Sequence, residues 1–256
     1  MSTKLSTRQT AEWADNLNYL NKDSIPSEKV LNDTINGPVM KYAIEKFKDI
    51  GTIKHENGIS LYQCQEYFHR VGGPIPNQEN KNVGMKPDGG IIILTKNGID
   101  IPILITEDKR QGTNDQRLVE NKEKQSLGNA IERAAKNIRG AGMVFAGQNI
   151  FPYVMFCSGC DFHSSETIRK RIDMMNMGVS PHSIEINKII SSEETDKLNQ
   201  IVNNININKL NGTDIASIFI KSHKWDELPH GSSNWTSIEI EKICCKVIDL
   251  VYFEIN

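Results

Sequence analysis

The sequence has 256 residues and a formal net charge of −2, and 38% of its residues are hydrophobic and 24% charged. These proportions are typical of a globular protein and exclude a disordered chain. No apolar run approaches the roughly 18 residues of a membrane helix, and the N-terminus lacks an apolar signal segment. We therefore expect a cytoplasmic protein with no membrane partner. The five cysteines are irregularly spaced, which argues against a disulfide framework.

The first 80 residues are predicted to be mainly helical. Apolar residues recur near helical spacing between residues 7 and 50. A break at residues 24–27, which include Pro26, resembles a new helix start, and residues 37–48 are predicted to form another helix.

A polar loop at residues 71–85 leads into a predicted β-hairpin. Two apolar runs, at residues 91–94 and 101–105, flank Asn97-Gly98, and Asn-Gly between β-branched runs is a strong hairpin signal. With a two-residue turn and no bulge, counting outward from the turn places Asp88 opposite Glu107.

That pairing depends on an uninterrupted register. Pro102 lies in the second run, and proline favours an edge strand or a bulge. A slip of one residue would change which side chain Asp88 faces.

Further elements are predicted along the rest of the chain. Residues 113–139 form a polar helix or loop, residues 153–156 and 215–220 form strands, and a final segment covers residues 238–253. The chain is expected to form one α/β domain over residues 1–256, with a catalytic and recognition core at 85–160.

The predicted hairpin end brings together groups suited to metal chemistry. Opposed carboxylates at Asp88 and Glu107 repel each other unless a cation compensates. Strand alternation puts Lys109 on the face of Glu107 and turns Asp108 to the other face. Two carboxylates and an ammonium suit phosphodiester hydrolysis with Mg²⁺, which prefers oxygen ligands. The alternative is an exposed hairpin end with ordinary salt bridges, because such spacings also arise by chance.

Positive charge is concentrated after this hairpin. Residues 109–139 contain eight Lys or Arg and four Asp or Glu, a surplus of four positive charges. A basic segment on a near-neutral chain is typical of a protein that binds DNA through one face. A solvated charged helix is the alternative.

Residues 128–138 have two opposite stripes at helical spacing. The apolar stripe comprises Ile131, Ala134, Ala135 and Ile138. The polar stripe comprises Asn129, Glu132, Arg133 and Lys136. Asn, Glu and Arg side chains suit hydrogen bonding to base edges in the major groove, so the polar stripe could read DNA. A water-facing helix with a Glu132–Lys136 salt bridge remains the alternative.

Four sequence blocks resemble one enzyme family. They are KPDGGII (86–92), EDKRQG (107–112), GNAIERAAKNI (128–138) and FPYVMF (151–156). They resemble the corresponding stretches of the EcoRI restriction endonuclease family, and they occur in the same order and at similar spacing. In addition, Pro-Asp followed by Glu-x-Lys resembles the PD-(D/E)xK nuclease signature. The similarity covers roughly residues 85–250, and the first 80 residues match poorly.

The resemblance implies a restriction-endonuclease-like fold, with a central mixed β-sheet flanked by helices. It assigns catalysis to Asp88, Glu107 and Lys109, with Asp88 and Glu107 binding Mg²⁺. The family often has a small or apolar residue where this chain has Asp108, which leaves open which acid of the doublet binds metal.

The resemblance also implies a substrate and partners. Asn129, Glu132 and Arg133 would read an AATT core, with Lys136 and Arg171 as further DNA contacts. A type II enzyme of this kind would cut double-stranded DNA at a palindrome and leave 5′ overhangs. It would act as a homodimer beside a cognate DNA methyltransferase. The alternatives are a non-catalytic sequence-specific DNA-binding protein and a repair or recombination nuclease of the same superfamily.

Overall fold

A computed structural model describes residues 27–70, 72, 84–110, 121, 129–159, 161–164, 170, 184–189, 195–208, 216–222 and 234–256, with backbone only at 129–133, 136, 164, 184–189 and 195–196. The strands are β1 (Thr52–Glu56), β2 (Ile59–Ser60), β3 (Gly84–Met85), β4 (Ile91–Lys96), β5 (Ile99–Arg110), β6 (Tyr153–Ser158), β7 (Ile184–Ile189) and β8 (Ala216–Lys221). The helices are α1 (residues 27–34, continuing through Ile35–Val39 and Met40–Phe47), α2 (Leu61–His69), α3 (Asn129–Val144), α4 (Asp161–Ser164), α5 (Thr195–Asn203) and α6 (Ser237–Ile255).

Six strands form one mixed sheet in the order β1-β4-β5-β6-β8-β7. The pairs β1/β4 and β4/β5 are antiparallel, whereas β5/β6, β6/β8 and β8/β7 are parallel. Every residue of β6 and β8 is buried, as expected for parallel strands covered on both faces. The predicted α/β class with a mixed sheet is confirmed.

Helices cover both faces of this sheet. One core joins α1, α5 and α6 to side chains that include Leu104, Phe156 and Phe219. The other joins α2 and α3 to side chains that include Ile105 and Met155. Because side chains alternate along a strand, consecutive hydrophobic residues of β6 enter different cores, as do Leu104 and Ile105 of β5. None of the helices in the described ranges has the length and apolarity of a membrane span.

The predicted hairpin is confirmed at its turn. Asn97 and Gly98 have φ angles of 53° and 75°, as a type I′ turn requires, and Lys96 lies opposite Ile99. The assumption of an uninterrupted register is wrong, however.

A β-bulge breaks the register between β4 and β5. Ile93 pairs with Pro102, but Ile92 pairs with Leu104, so Ile103 is the extra residue. Pro102 has no N–H to donate to the ladder, which accounts for an irregularity at this point. The count that placed Asp88 opposite Glu107 therefore fails by one residue, and Asp88 precedes β4.

The helix predicted at residues 37–48 is not separate from the one before it. From residue 27 the chain is continuously helical to Phe47, with a π-helical stretch at Ile35–Val39 that contains Pro38. Proline cannot donate a backbone hydrogen bond, and the wider π turn accommodates that missing donor.

Candidate active site

Asp88 is held by a tight turn beside β5. The Gly90 N–H donates to the Pro87 carbonyl at 3.0 Å, and the Gly89 N–H donates to the Thr106 carbonyl at 3.0 Å. A Cβ atom at Gly89 would overlap the Thr106 hydroxyl, so only glycine fits at this distance from the strand. The turn thus brings Asp88 to the carboxyl-terminal end of β5.

Lys109 joins the two predicted metal-binding acids. Its Nζ lies 2.7 Å from Asp88 Oδ2 and 2.5 Å from Glu107 Oε1. It also donates to the Asp108 carbonyl at 2.8 Å. The structure thus brings the three predicted catalytic side chains together, and the prediction that Glu107 and Lys109 share a face is confirmed.

Asp108 faces the opposite side of the sheet, as alternation predicted. Its Oδ2 accepts a hydrogen bond from Ser27 Oγ of α1 at 2.7 Å. Burial raises the pKa of Asp108 to about 6. Its backbone N–H donates to Asp88 Oδ2 at 3.1 Å, so Asp108 contacts the cluster through its main chain.

Burial dominates the electrostatics of Glu107. Only 2% of its side chain is exposed, and burial raises its pKa although Lys109 acts in the other direction. For Lys109, burial lowers the pKa, but the charges of Glu107 and Asp88 outweigh this effect and the pKa is raised. Lys109 is therefore an ammonium ion at neutral pH.

Asn137 of α3 contacts the cluster and was not predicted. Its Nδ2 donates to Glu107 Oε1 at 2.8 Å. It lies next to Ile138 of the apolar stripe, at the edge of the helix face that packs on the sheet. Nothing in the sequence pattern separates this asparagine from a surface residue.

The cluster fits a hard divalent cation. Glu107 Oε2 is buried and has no hydrogen-bond partner, although a buried carboxylate oxygen normally has one. Asp88 supplies a second carboxylate. Within the described ranges no three His, Cys, Asp or Glu side chains gather into a metal-binding group. Mg²⁺ does not need such a cage, since it retains waters and uses one or two carboxylates.

The predicted DNA-binding residues are described only in part. Asn129, Glu132, Arg133 and Lys136 lie on α3, which confirms a helix here, while their side chains and Arg171 lie outside the described atoms. The predicted apolar stripe is buried at Ala134 and Ile138. Ala135 is partly exposed.

Two comparisons with known proteins agree with this site. The family described as "Restriction endonuclease EcoRI" matches residues 41–249, so the likeness begins well before residue 85. A relative from Escherichia coli, "Type II restriction enzyme EcoRI", is 29% identical over 150 residues, which cover 55% of this chain and 54% of the relative. The match to that relative therefore spans about half of its length. Since the family match takes in most of the chain, the chain belongs to the EcoRI restriction endonuclease family.

Proposed function

We propose that this protein is a magnesium-dependent type II restriction endonuclease that hydrolyses phosphodiester bonds in double-stranded DNA. The observation that carries the proposal is the cluster at the end of β5. There Lys109 lies between Asp88 and Glu107, and Glu107 keeps one buried carboxylate oxygen without a partner. Membership of the EcoRI family supports this function for the cluster.

Each residue of the cluster has a distinct proposed role. Asp88 and Glu107 hold Mg²⁺, which when bound stabilises the negative charge that develops on the phosphate. Lys109 is an ammonium ion in a mostly buried position, where it donates hydrogen bonds to a phosphate oxygen or to the attacking water. In the reaction water adds to phosphorus, one P–O ester bond breaks, and the proton from water ends on the leaving oxygen.

The recognition proposal rests on α3. Asn129, Glu132 and Arg133 would read an AATT core in the major groove, and Lys136 and Arg171 would add further DNA contacts. A palindromic target calls for symmetric reading, which a C₂ homodimer of this single domain provides. Cleavage would leave 5′ overhangs. Host DNA in the cytoplasm would then need protection by a cognate methyltransferase.

The first test is cleavage of plasmid DNA. We expect purified protein with Mg²⁺ to produce discrete fragments whose sequenced ends share one palindrome containing AATT. We expect Asp88→Ala to abolish cutting while retaining specific binding to the same duplex in Ca²⁺, because the substitution removes a metal ligand and leaves α3 unchanged.

Other outcomes would select other functions. Sequence-specific binding without cutting would identify a non-catalytic DNA-binding protein. Cutting confined to nicks or junctions would identify a repair or recombination nuclease. An unchanged cleavage rate in Asp88→Ala would refute the proposed metal site.

A further inference from the structure

The recognition helix and the proposed metal site are joined by a direct side-chain contact. Asn137 lies on α3 one helical turn after Arg133, and its amide donates to Glu107 Oε1 at 2.8 Å. The helix that carries the proposed DNA-reading residues is therefore hydrogen-bonded to a proposed metal ligand.

The two oxygens of Glu107 have different surroundings. Oε1 accepts one hydrogen bond from Asn137 Nδ2 and lies 2.5 Å from Lys109 Nζ, whereas Oε2 is buried without a partner. Donors on one oxygen fix the orientation of a carboxylate and leave the other oxygen for a metal. Hydrogen bonds of this kind to metal ligands commonly tune metal affinity.

The backbone around Asn137 is well anchored. Ala134, Ile138 and Ala141 of α3 are buried against the sheet in the same core as Met155. The position of the Asn137 amide is therefore fixed by the packing of α3. A displacement of α3 would move this donor relative to Glu107, which is anchored in β5.

We propose that Asn137 is a positioning residue that couples α3 to the metal site by orienting the Glu107 carboxylate. This inference rests on the proposed function of the cluster. Asn137 acts through Glu107, and it makes the metal affinity of the site depend on the placement of the DNA-reading helix.

The test compares metal affinity with cleavage kinetics in two variants of Asn137. Asn137→Leu removes the donor at similar volume, and Asn137→Ala removes it in case leucine does not fit. Asn203→Ala, at an exposed position of α5, is the matched control. Mn²⁺ binding is measured by electron paramagnetic resonance on the protein bound to a duplex with a non-hydrolysable linkage at the mapped site, because substrate phosphates usually complete a Mg²⁺ site. The values of kcat and KM are measured on a hydrolysable duplex containing the same site.

We expect the Mn²⁺ dissociation constant of the Asn137 variants to rise about 10-fold or more, the usual effect of losing such a contact. We expect kcat to fall by a similar factor while KM changes less than about twofold, and Asn203→Ala to match wild type.

Two results would overturn the proposal. One is unchanged Mn²⁺ affinity in a folded Asn137 variant. The other is an increase in KM alone, which would make Asn137 a DNA contact. Failure of the wild-type protein to bind Mn²⁺ or to cut DNA would instead refute the proposed function, and this control separates the two failures.

Discussion

Glu107 and Asp108 are consecutive acids with different surroundings. Glu107 points toward α3, where Lys109 and Asn137 contact one of its oxygens and the other has no partner. Asp108 points toward α1, where the Ser27 hydroxyl donates to its carboxylate. Only Glu107 therefore combines proximity to Asp88 and Lys109 with an oxygen free to bind a metal.

This difference predicts unequal effects of neutralising the two acids. We expect Glu107→Gln to reduce Mg²⁺-dependent cleavage by about 100-fold or more. Removing a metal ligand should cost more activity than removing a residue that only forms a hydrogen bond to a metal ligand. Asp108→Asn should reduce it by less than about 10-fold, since an amide oxygen still accepts from Ser27.

Single-turnover cleavage of one duplex by both variants measures the difference. A larger loss in Asp108→Asn than in Glu107→Gln would reassign the metal ligand to Asp108.

At the scale of elements, the site depends on how closely the turn at residues 87–90 approaches its neighbours. Gly89 lies against Thr106 of β5 and Leu31 of α1, and Gly90 has a φ of 75°. The turn, the strand and the helix therefore meet at one glycine. The position of Asp88 depends on this contact and not on pairing within the hairpin.

We predict that Gly89→Ala destabilises the protein by about 1 to 3 kcal/mol, because the added methyl overlaps the Thr106 hydroxyl and the neighbours must move. Gly37→Ala is the matched control, since a Cβ there meets nothing within 4 Å. Urea denaturation of the two variants measures the difference. Equal free energies of unfolding for the two variants would contradict the prediction, because they would mean that the turn has room for a methyl group at Gly89.

At the scale of the whole molecule, the sheet separates two groups of charges. The proposed catalytic cluster lies at the carboxyl end of β5, whereas Asp100 lies at the start of that strand. Asp100 Oδ2 is 2.7 Å from Lys54 Nζ, and its Oδ1 accepts from the Thr95 hydroxyl at 2.6 Å. Burial raises the pKa of Asp100, but these contacts outweigh burial and the pKa lies below its ordinary value of 3.8.

The lowered pKa of Asp100 predicts a pH dependence of stability. An acid whose pKa is depressed in the folded state stabilises the fold above its ordinary pKa, and this stabilisation disappears as pH falls through the lowered value. Wild type should therefore be more stable than Asp100→Asn at pH 7, and the difference should begin to shrink as pH falls below the ordinary value of 3.8 and vanish only below the lowered pKa. Because the pair is partly exposed, we expect less than about 1 kcal/mol.

Thermal unfolding of both proteins between pH 3 and 7 measures this dependence. A difference that persists unchanged at pH 3 would contradict it.

The parts of the fold that depend on local pattern were predictable from the sequence. The prediction of a turn at Asn97-Gly98 was correct because the two central residues are enough to encode a type I′ turn. The prediction that Glu107 and Lys109 lie on the same face of the strand was correct because the alternation of side chains along a strand does not depend on the neighbouring elements. The mixed sheet was expected from the family resemblance, which residue patterns alone would not have supplied.

The errors arose where tertiary structure overrides local pattern. Pro102 marked a possible irregularity, but its consequence, an extra residue at Ile103, depends on how β5 packs between its neighbours. The helix through Pro38 continues because packing stabilises a π turn that propensity disfavours. Asn137 was missed because its contact with Glu107 joins residues 30 positions apart.

Lys109 also affects the charge of the cluster when no metal ion is bound. Two neighbouring carboxylates would repel each other in the metal-free chain, but the ammonium between Asp88 and Glu107 leaves one net negative charge there instead of two. The fold thus carries its own counterion. Unlike a zinc finger, whose ligands cannot assemble without the ion, we expect this protein to fold without a cation and to bind one afterwards. A chelator should accordingly stop the reaction and leave the folded molecule intact, ready to be reactivated when the cation returns.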